Sequence, residues 1–408
     1  MTIPAADRAV VRELAAQTAE IAALPVQEET KALWRALNGL KPVRPMVMID
    51  QVCWNEMNVD DELTLRCEDG FCRGLEWRLR ATLYQWRHMR ADMVVEPWID
   101  IPKAIRNTGF GLGVQEKTAV LDPSNSVVGH FYLDQLQTEA DLEKIRMPEI
   151  SHDEAATAQA EEQAHELFDG LLEVHMQGQC PVYAPMDLIV CWHGVEPLLY
   201  DMADRPEFVH AMIARLTQAQ LSMLDQLEAQ GLLGTRQQTI HCTGAWSDEL
   251  PYDSPRPAAK NLWTYGMSQI FSTASPAMHD AFETPALIPW FERFGLGYYG
   301  CCEPLDLKLA MIRKYPHVRK VSMSPWVEVE RGAREIGGDF VFSRKPSPAF
   351  LARDWNPAAV AADLQETVDA CARHGCPCEL ILKDISTVLY QPQHLWEWND
   401  LARRVVGA

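Results

Sequence analysis

Eight short runs of strand-forming residues, separated by amphipathic helical stretches, constrain this chain more than any other feature. The runs are Pro45–Asp50, Met93–Ile99, Val182–Asp187, Gln238–Thr243, Gly297–Cys302, Lys320–Ser324, Phe340–Ser343 and Glu379–Asp384. Parallel strands need crossover helices, so such alternation predicts an α/β protein. Eight repeats predict a (β/α)8 TIM barrel, with an open doubly wound sheet as the alternative.

The helices carry their own punctuation. Val10, Val11, Leu14 and Ala15, then Leu33 and Leu37, recur at helical spacing, so residues 1–40 read as an N-terminal helical extension to a barrel over 41–408. Asp204-Arg205-Pro206-Glu207 reads as a cap with an early proline, and Gly231 as the stop. Ser275-Pro276 opens a helix through Phe291, and Asn356-Pro357 opens one ending near Gly375. The stretch 103–179 exceeds one crossover and predicts an insertion after the second strand. It would hold an extra hairpin at Val127–Leu133 and a long exposed helix over His152–Met176.

Composition removes several function classes. A net charge of −20 repels a phosphate backbone, so nucleic acid is not an expected partner. No run approaches the roughly 18 apolar residues of a membrane span. The N-terminus lacks the apolar core of a secretory signal, so the expectation is no membrane and a cytoplasmic protein. The 11 scattered cysteines fit a reducing compartment, where thiols are free for chemistry.

In barrels of this type the chemistry sits where the strands end. Those ends carry Asp50, Trp54, Asn55 and Glu56; then Glu96-Pro97-Trp98; then His241-Cys242 with Trp246, Asp248 and Glu249. Further on come Cys301-Cys302-Glu303, Ser324-Pro325-Trp326, Ser343-Arg344-Lys345 and Lys383-Asp384. Two adjacent thiols and a carboxylate after an apolar strand suggest a zinc centre, because thiolates suit zinc and a catalytic site leaves one position open. Strand alternation turns only one of Cys301 and Cys302 toward the mouth. The alternative is that both are inert buried thiols.

The same rule sorts the rest. Cys376-Pro377-Cys378 precedes the last strand and reads as structural, whereas Asp384 beyond that strand is better placed as a ligand. Cys191-Trp192-His193 reads as a satisfied loop histidine. Gly109 to Gly113 lacks the strand–loop–helix context of a nucleotide loop. His241 is a candidate metal ligand or general acid, or else a hydrogen-bonded structural group, and Glu249 could orient substrate or donate a proton. Trp54, Glu56, Trp98, Trp246 and Trp326 are candidate substrate-binding residues, the indoles able to stack on a ring or a methylated cation.

The run Leu262-Trp263-Thr264-Tyr265-Gly266-Met267-Ser268-Gln269, then Ser275 to Phe282 and Pro285, resembles the uroporphyrinogen decarboxylase superfamily. The strand Tyr298–Glu303, the Lys383-Asp384 strand end and the segment Pro392–Trp396 follow in that superfamily's order, and the resemblance spans roughly residues 40–405. Decarboxylases of the superfamily carry early arginines that grip a tetrapyrrole; the stretch Met48 to Glu56 has none. The resemblance is therefore to the zinc- and corrinoid-dependent methyltransferase branch. It implies a TIM barrel, Zn2+ at the mouth, and a corrinoid (cobalamin) carried by a partner protein. Within that branch's His-x-Cys pattern, Cys301 matches the cysteine and Tyr299 stands in the histidine's place. The distal cysteine is absent, with Asp384 or Ser386 near its position.

The expected activity is zinc-assisted methyl transfer between a small O- or N-methylated compound, such as an aryl methyl ether, and the corrinoid-binding protein. Cys301, Cys302, Glu303 and Asp384 are the expected metal ligands. His241 and Glu249 are the expected catalytic residues, and a second copy of the chain is an optional partner. Two other readings remain at this level. One is a metal-independent decarboxylase using Asp50, Asp187 or Asp248; the other is a catalytically silent binding barrel.

Overall fold

A computed structural model describes residues 3–120, 123, 128–353 and 355–408. Its centre is a six-stranded, wholly parallel sheet. In spatial order the strands are Met46–Ile49, Cys378–Leu382, Val341–Arg344, Val318–Met323, Leu296–Tyr299 and Trp263–Gly266. Helices separate most of these strands in the chain, including Pro276–Phe291 and Pro357–Arg373, and Pro392–Val406 follows the last one. The predicted caps hold at two of them: Ser275 Oγ accepts from the Met278 N–H, and Asn356 Oδ1 from the Ala359 N–H.

Five of the eight expected strands coincide with strands of this sheet, and three do not. The Met93–Ile99 run enters a ladder only from Trp98, as the strand Trp98–Pro102, which pairs in parallel with an unexpected strand, Glu173–Gln177. The Val182–Asp187 run holds a single bridge, Tyr183 to Gly266, before Pro185 starts the helix Pro185–His193. The Gln238–Thr243 run is a hairpin of two-residue strands, Thr239–Ile240 and Thr243–Gly244. In its place Trp263–Gly266 joins the sheet. No closed ring of ladder bonds runs through the described residues.

The insertion departs from expectation in the same way. Its helix covers only Glu154–Phe168, because Ala164, Leu167 and Phe168 bury against Ile99 and Ile101 and the chain then extends as a strand. The hairpin pairs Glu116–Ala119 with Gly129–Tyr132, while Val127 lies outside the described residues. Asp204 ends one helix rather than capping the next, whose N-cap is Arg205. Among the described residues no helix is long and apolar enough to cross a membrane.

Successive residues of each sheet strand face two different layers. Leu380, Leu382, Tyr299 and Phe342 pack outward under the helices. Ile381, Val341 and Met46 point to the concave side, against Trp34 and Trp246. That inner layer is partly ionic. Lys320 Nζ lies 2.8 Å from Glu379 Oε2 and donates to Thr243 Oγ1 and the Gly244 carbonyl, each at 3.0 Å. Both side chains are fully buried. This pair fastens the 239–244 hairpin to the sheet and leaves His241 and Cys242 at its tip.

Candidate functional site

The strand Leu296–Tyr299 ends in a tight loop. Gly300 adopts φ +92°, and its N–H donates to the Gly266 carbonyl at 2.8 Å. A side chain there would meet Leu305 Cδ1 at 2.3 Å, so only glycine fits. Glu303 cinches the loop: its carboxylate accepts from the Cys301 N–H at 2.9 Å and the Ser268 N–H at 3.0 Å. Burial raises its pKa to about 7, opposed by the Ser268 N–H and by its own backbone N–H. Both oxygens of Glu303, expected as a metal ligand, are thus engaged with the loop backbone. Beneath it, Ser268 and Tyr299 bond to buried Glu283, whose other partner, His279 Nε2, lies at 2.6 Å.

Cys301 Sγ, at the loop's tip, is buried. Lys383 Nζ lies 3.1 Å from it, and Cys302 Sγ lies 3.6 Å from it. The same lysine reaches Asp384 Oδ2 at 3.0 Å, and Cys302 Sγ lies 3.8 Å from that oxygen. The Cys302 hydrogen bond lowers the Cys301 pKa; His241 and Lys383 lower it further, against the cost of burial. Cys302 is raised, first by Cys301. Both shifts favour negative charge on Cys301 over Cys302. Burial works against the Lys383 ammonium, but Cys301, Asp384 and Cys242 together raise its pKa.

Two further groups face this thiolate. His241 Nε2 is buried without a hydrogen-bond partner, its ring 4.6 Å from that of Tyr265 and 4.9 Å from that of Tyr298. Burial lowers its pKa, and Cys301 opposes the shift. Lys345 is buried, donates to Ser343 Oγ at 3.1 Å and sits 5.1 Å from the centre of the Tyr298 ring. Burial lowers its pKa to about 8. His241, Cys242 and Asp384 take left-handed φ of 42°, 69° and 56°, as do several non-glycine residues elsewhere among those described.

The structure brings Cys301, Cys302 and Asp384 together, with His241 beside Cys301, and disperses other candidates. Glu249 pairs with Arg319, at the start of the Val318–Met323 strand and so at the far end of the sheet. Asp248 lies near Arg35 and Lys41 there. Trp246 is core, its indole N–H donating to Glu96 at 3.0 Å. Trp98 begins its strand instead of ending it, and lies beside Lys31 and Arg236. Trp54 packs edge-on against Trp77 and Tyr84. Buried Glu56 accepts from the Val388 and Tyr390 N–H groups, pinning the loop after the last strand. Asp187 accepts from the Gln269 and Ile270 N–H groups. Trp326 alone of the indoles stands out from the strand ends, 75% exposed.

Lys383 and Lys345 follow strands, so chain order alone puts both at the mouth, but it gives neither its partner. They also bear on zinc. Among the described residues no three His, Cys, Asp or Glu side chains form a group able to hold a metal. The Lys383 ammonium, between Cys301 and Asp384, takes the position a metal cation would need, and Glu303 is spent on backbone. As arranged, these donors do not fit the expected zinc ligand set.

No protein-family model matches this chain, and no curated protein matches it. Among solved structures, a methyltransferase from Methanosarcina mazei is similar over 93% of this chain and 99% of its own, with a TM-score of 0.51 and 11% identity. At that identity the likeness is one of fold.

Proposed function

We propose that this protein is a methyltransferase that moves a methyl group between a small O- or N-methylated compound and a corrinoid carried by a partner protein. The scaffold we infer is a (β/α)8 barrel, with segments 92–102 and 173–183 completing the arc of the six-stranded sheet. The Asp92 N–H to Val47 carbonyl bond at one margin and the Tyr183–Gly266 bridge at the other support that path. The likeness to a methyltransferase fold supports the reaction class. The observation that carries the reading is the Cys301–Lys383 contact at the strand ends.

A reduced corrinoid supplies a strong nucleophile for a methyl carbon. The chain must bind the methyl donor, align it and manage the charge on its leaving atom. Lys345, with a pKa of about 8, is suited to give a proton to departing oxygen or nitrogen near neutral pH. His241 Nε2, which has no hydrogen-bond partner within the structure, is available to a polar group of the donor. Exposed Asp384 beside Cys302 marks the solvent side of the site, and Trp326 offers an indole on the same rim.

The test is to mix the protein, a panel of methoxyarenes and methylated amines, and photoreduced cob(I)alamin, and to follow methylcobalamin by its spectrum. Protein-dependent methylcobalamin from at least one donor is expected. Its absence with every donor overturns the reading.

A further inference from the structure

We propose that Cys301 Sγ itself accepts the methyl group, so that transfer runs through an S-methylcysteine at position 301. This rests on the methyltransferase reading and adds a covalent step to it. The site has the parts of an activated nucleophile. A sulfur at a strand-end loop lies 3.1 Å from an ammonium and 3.6 Å from a second thiol, beside a buried imidazole nitrogen with no other partner. Gly300 and Glu303 fix the backbone that carries it. A lone buried thiol needs none of this support.

The bonds balance over two displacements. In the first, the Cys301 thiolate attacks the methyl carbon in line. The S–C bond forms, the C–O or C–N bond breaks, and the electron pair leaves on the heteroatom, which takes a proton from Lys345. In the second, the reduced corrinoid of the partner attacks the same carbon; the S–C bond breaks and the pair returns to sulfur. Lys345 then regains its proton from water. A thioether is a poor leaving group by itself. Here the emerging thiolate is met by the Lys383 ammonium and the Cys302 S–H, the two contacts that hold it at rest. Lysine thus performs the charge stabilisation for which a Lewis acid is the common solution.

The experiment uses the wild-type chain and deuterated methyl iodide, a donor that needs no proton on its leaving group. Peptide mass spectrometry then locates the label. Expected is preferential labelling of Cys301 over the other cysteines, slowed roughly 10- to 100-fold in Lys383→Met. Added cob(I)alamin should then strip the label from Cys301 and yield deuterated methylcobalamin. Labelling spread evenly over the thiols overturns the proposal, as does a Cys301 label that cob(I)alamin leaves in place. Failure of the broader reading looks different: no donor in the panel yields methylcobalamin, whatever the behaviour of Cys301. If a folded Cys301→Ser variant makes methylcobalamin from the panel at the wild-type rate, the methyltransferase reading survives and the covalent step falls.

Discussion

Cys301 Sγ and Lys383 Nζ lie 3.1 Å apart although 82 residues separate them in the chain. The strands that precede them are not neighbours; two others lie between. In a flat sheet three strand spacings amount to about 14 Å. The contact is therefore a chord across a strongly curved sheet, and curvature makes the site.

Cys301 should behave as a thiolate below the ordinary thiol pKa of about 8.5. Iodoacetamide alkylation of Cys301, followed by peptide mass spectrometry, is expected to stay fast at mildly acidic pH. In Lys383→Met it should fall with falling pH as an ordinary thiol does, and Lys383→Arg should retain most of the wild-type profile.

Removing the ammonium should also change metal affinity. Lys383→Ala frees Cys301, Cys302 and Asp384 from a competing cation. Zinc retained after dialysis, measured by elemental analysis, is expected to be higher in this variant than in the wild type. Equal retention would show that Lys383 does not exclude the metal.

The Lys320–Glu379 pair is buried and hydrogen-bonded to the 239–244 hairpin. Lys320→Met leaves an uncompensated carboxylate and should cost about 3–5 kcal/mol in urea unfolding. Replacing both, as Lys320→Met with Glu379→Leu, should cost much less, since no lone charge remains.

Glu303 gives a pH signature. Its pKa rises from 4.5 when unfolded to about 7 when folded, so between those values the folded state binds the extra proton. Stability from this group is fully present below pH 4.5 and is lost as pH rises through 7, by about 3 kcal/mol. The difference in unfolding free energy between wild type and Glu303→Gln, measured across this range, should drift by that amount in that direction.

Gly300→Ala tests the loop. With φ at +92° and a contact of 2.3 Å to Leu305, the added methyl should cost roughly 1–3 kcal/mol or displace the loop. Either way, Cys301 alkylation should slow as the sulfur moves from Lys383.

Local signals are legible in part: two of the expected helix caps form, while Asp204 does not cap the helix that follows it. Ser275 and Asn356 cap helices because a cap concerns its own next three residues. The strands at 296–299, 318–323, 341–344 and 378–382 are legible as short runs of strand-forming residues, although buried Lys320, Ser343 and Glu379 interrupt their apolar character. Trp263–Gly266 did not read as a strand, because four residues carry too little periodicity and its pairing partner lies some thirty residues on. Gln238–Thr243 has strand composition, yet His241 and Cys242 turn left-handed and fold it into a hairpin.

Chain order alone placed Cys301, Cys302 and Asp384 at strand ends, because in parallel sheets position along a strand decides which end of the sheet a residue reaches. It could not decide what each side chain meets there. Glu249 lies seven residues from Cys242 in the chain and still turns to Arg319 at the opposite end; Glu303, adjacent to the thiols, turns to backbone. Whether a thiolate is held by a metal or by an ammonium depends on the side chains brought to it across the curved sheet. That choice is a matter of a few ångströms between residues far apart in the chain, and folding alone sets it.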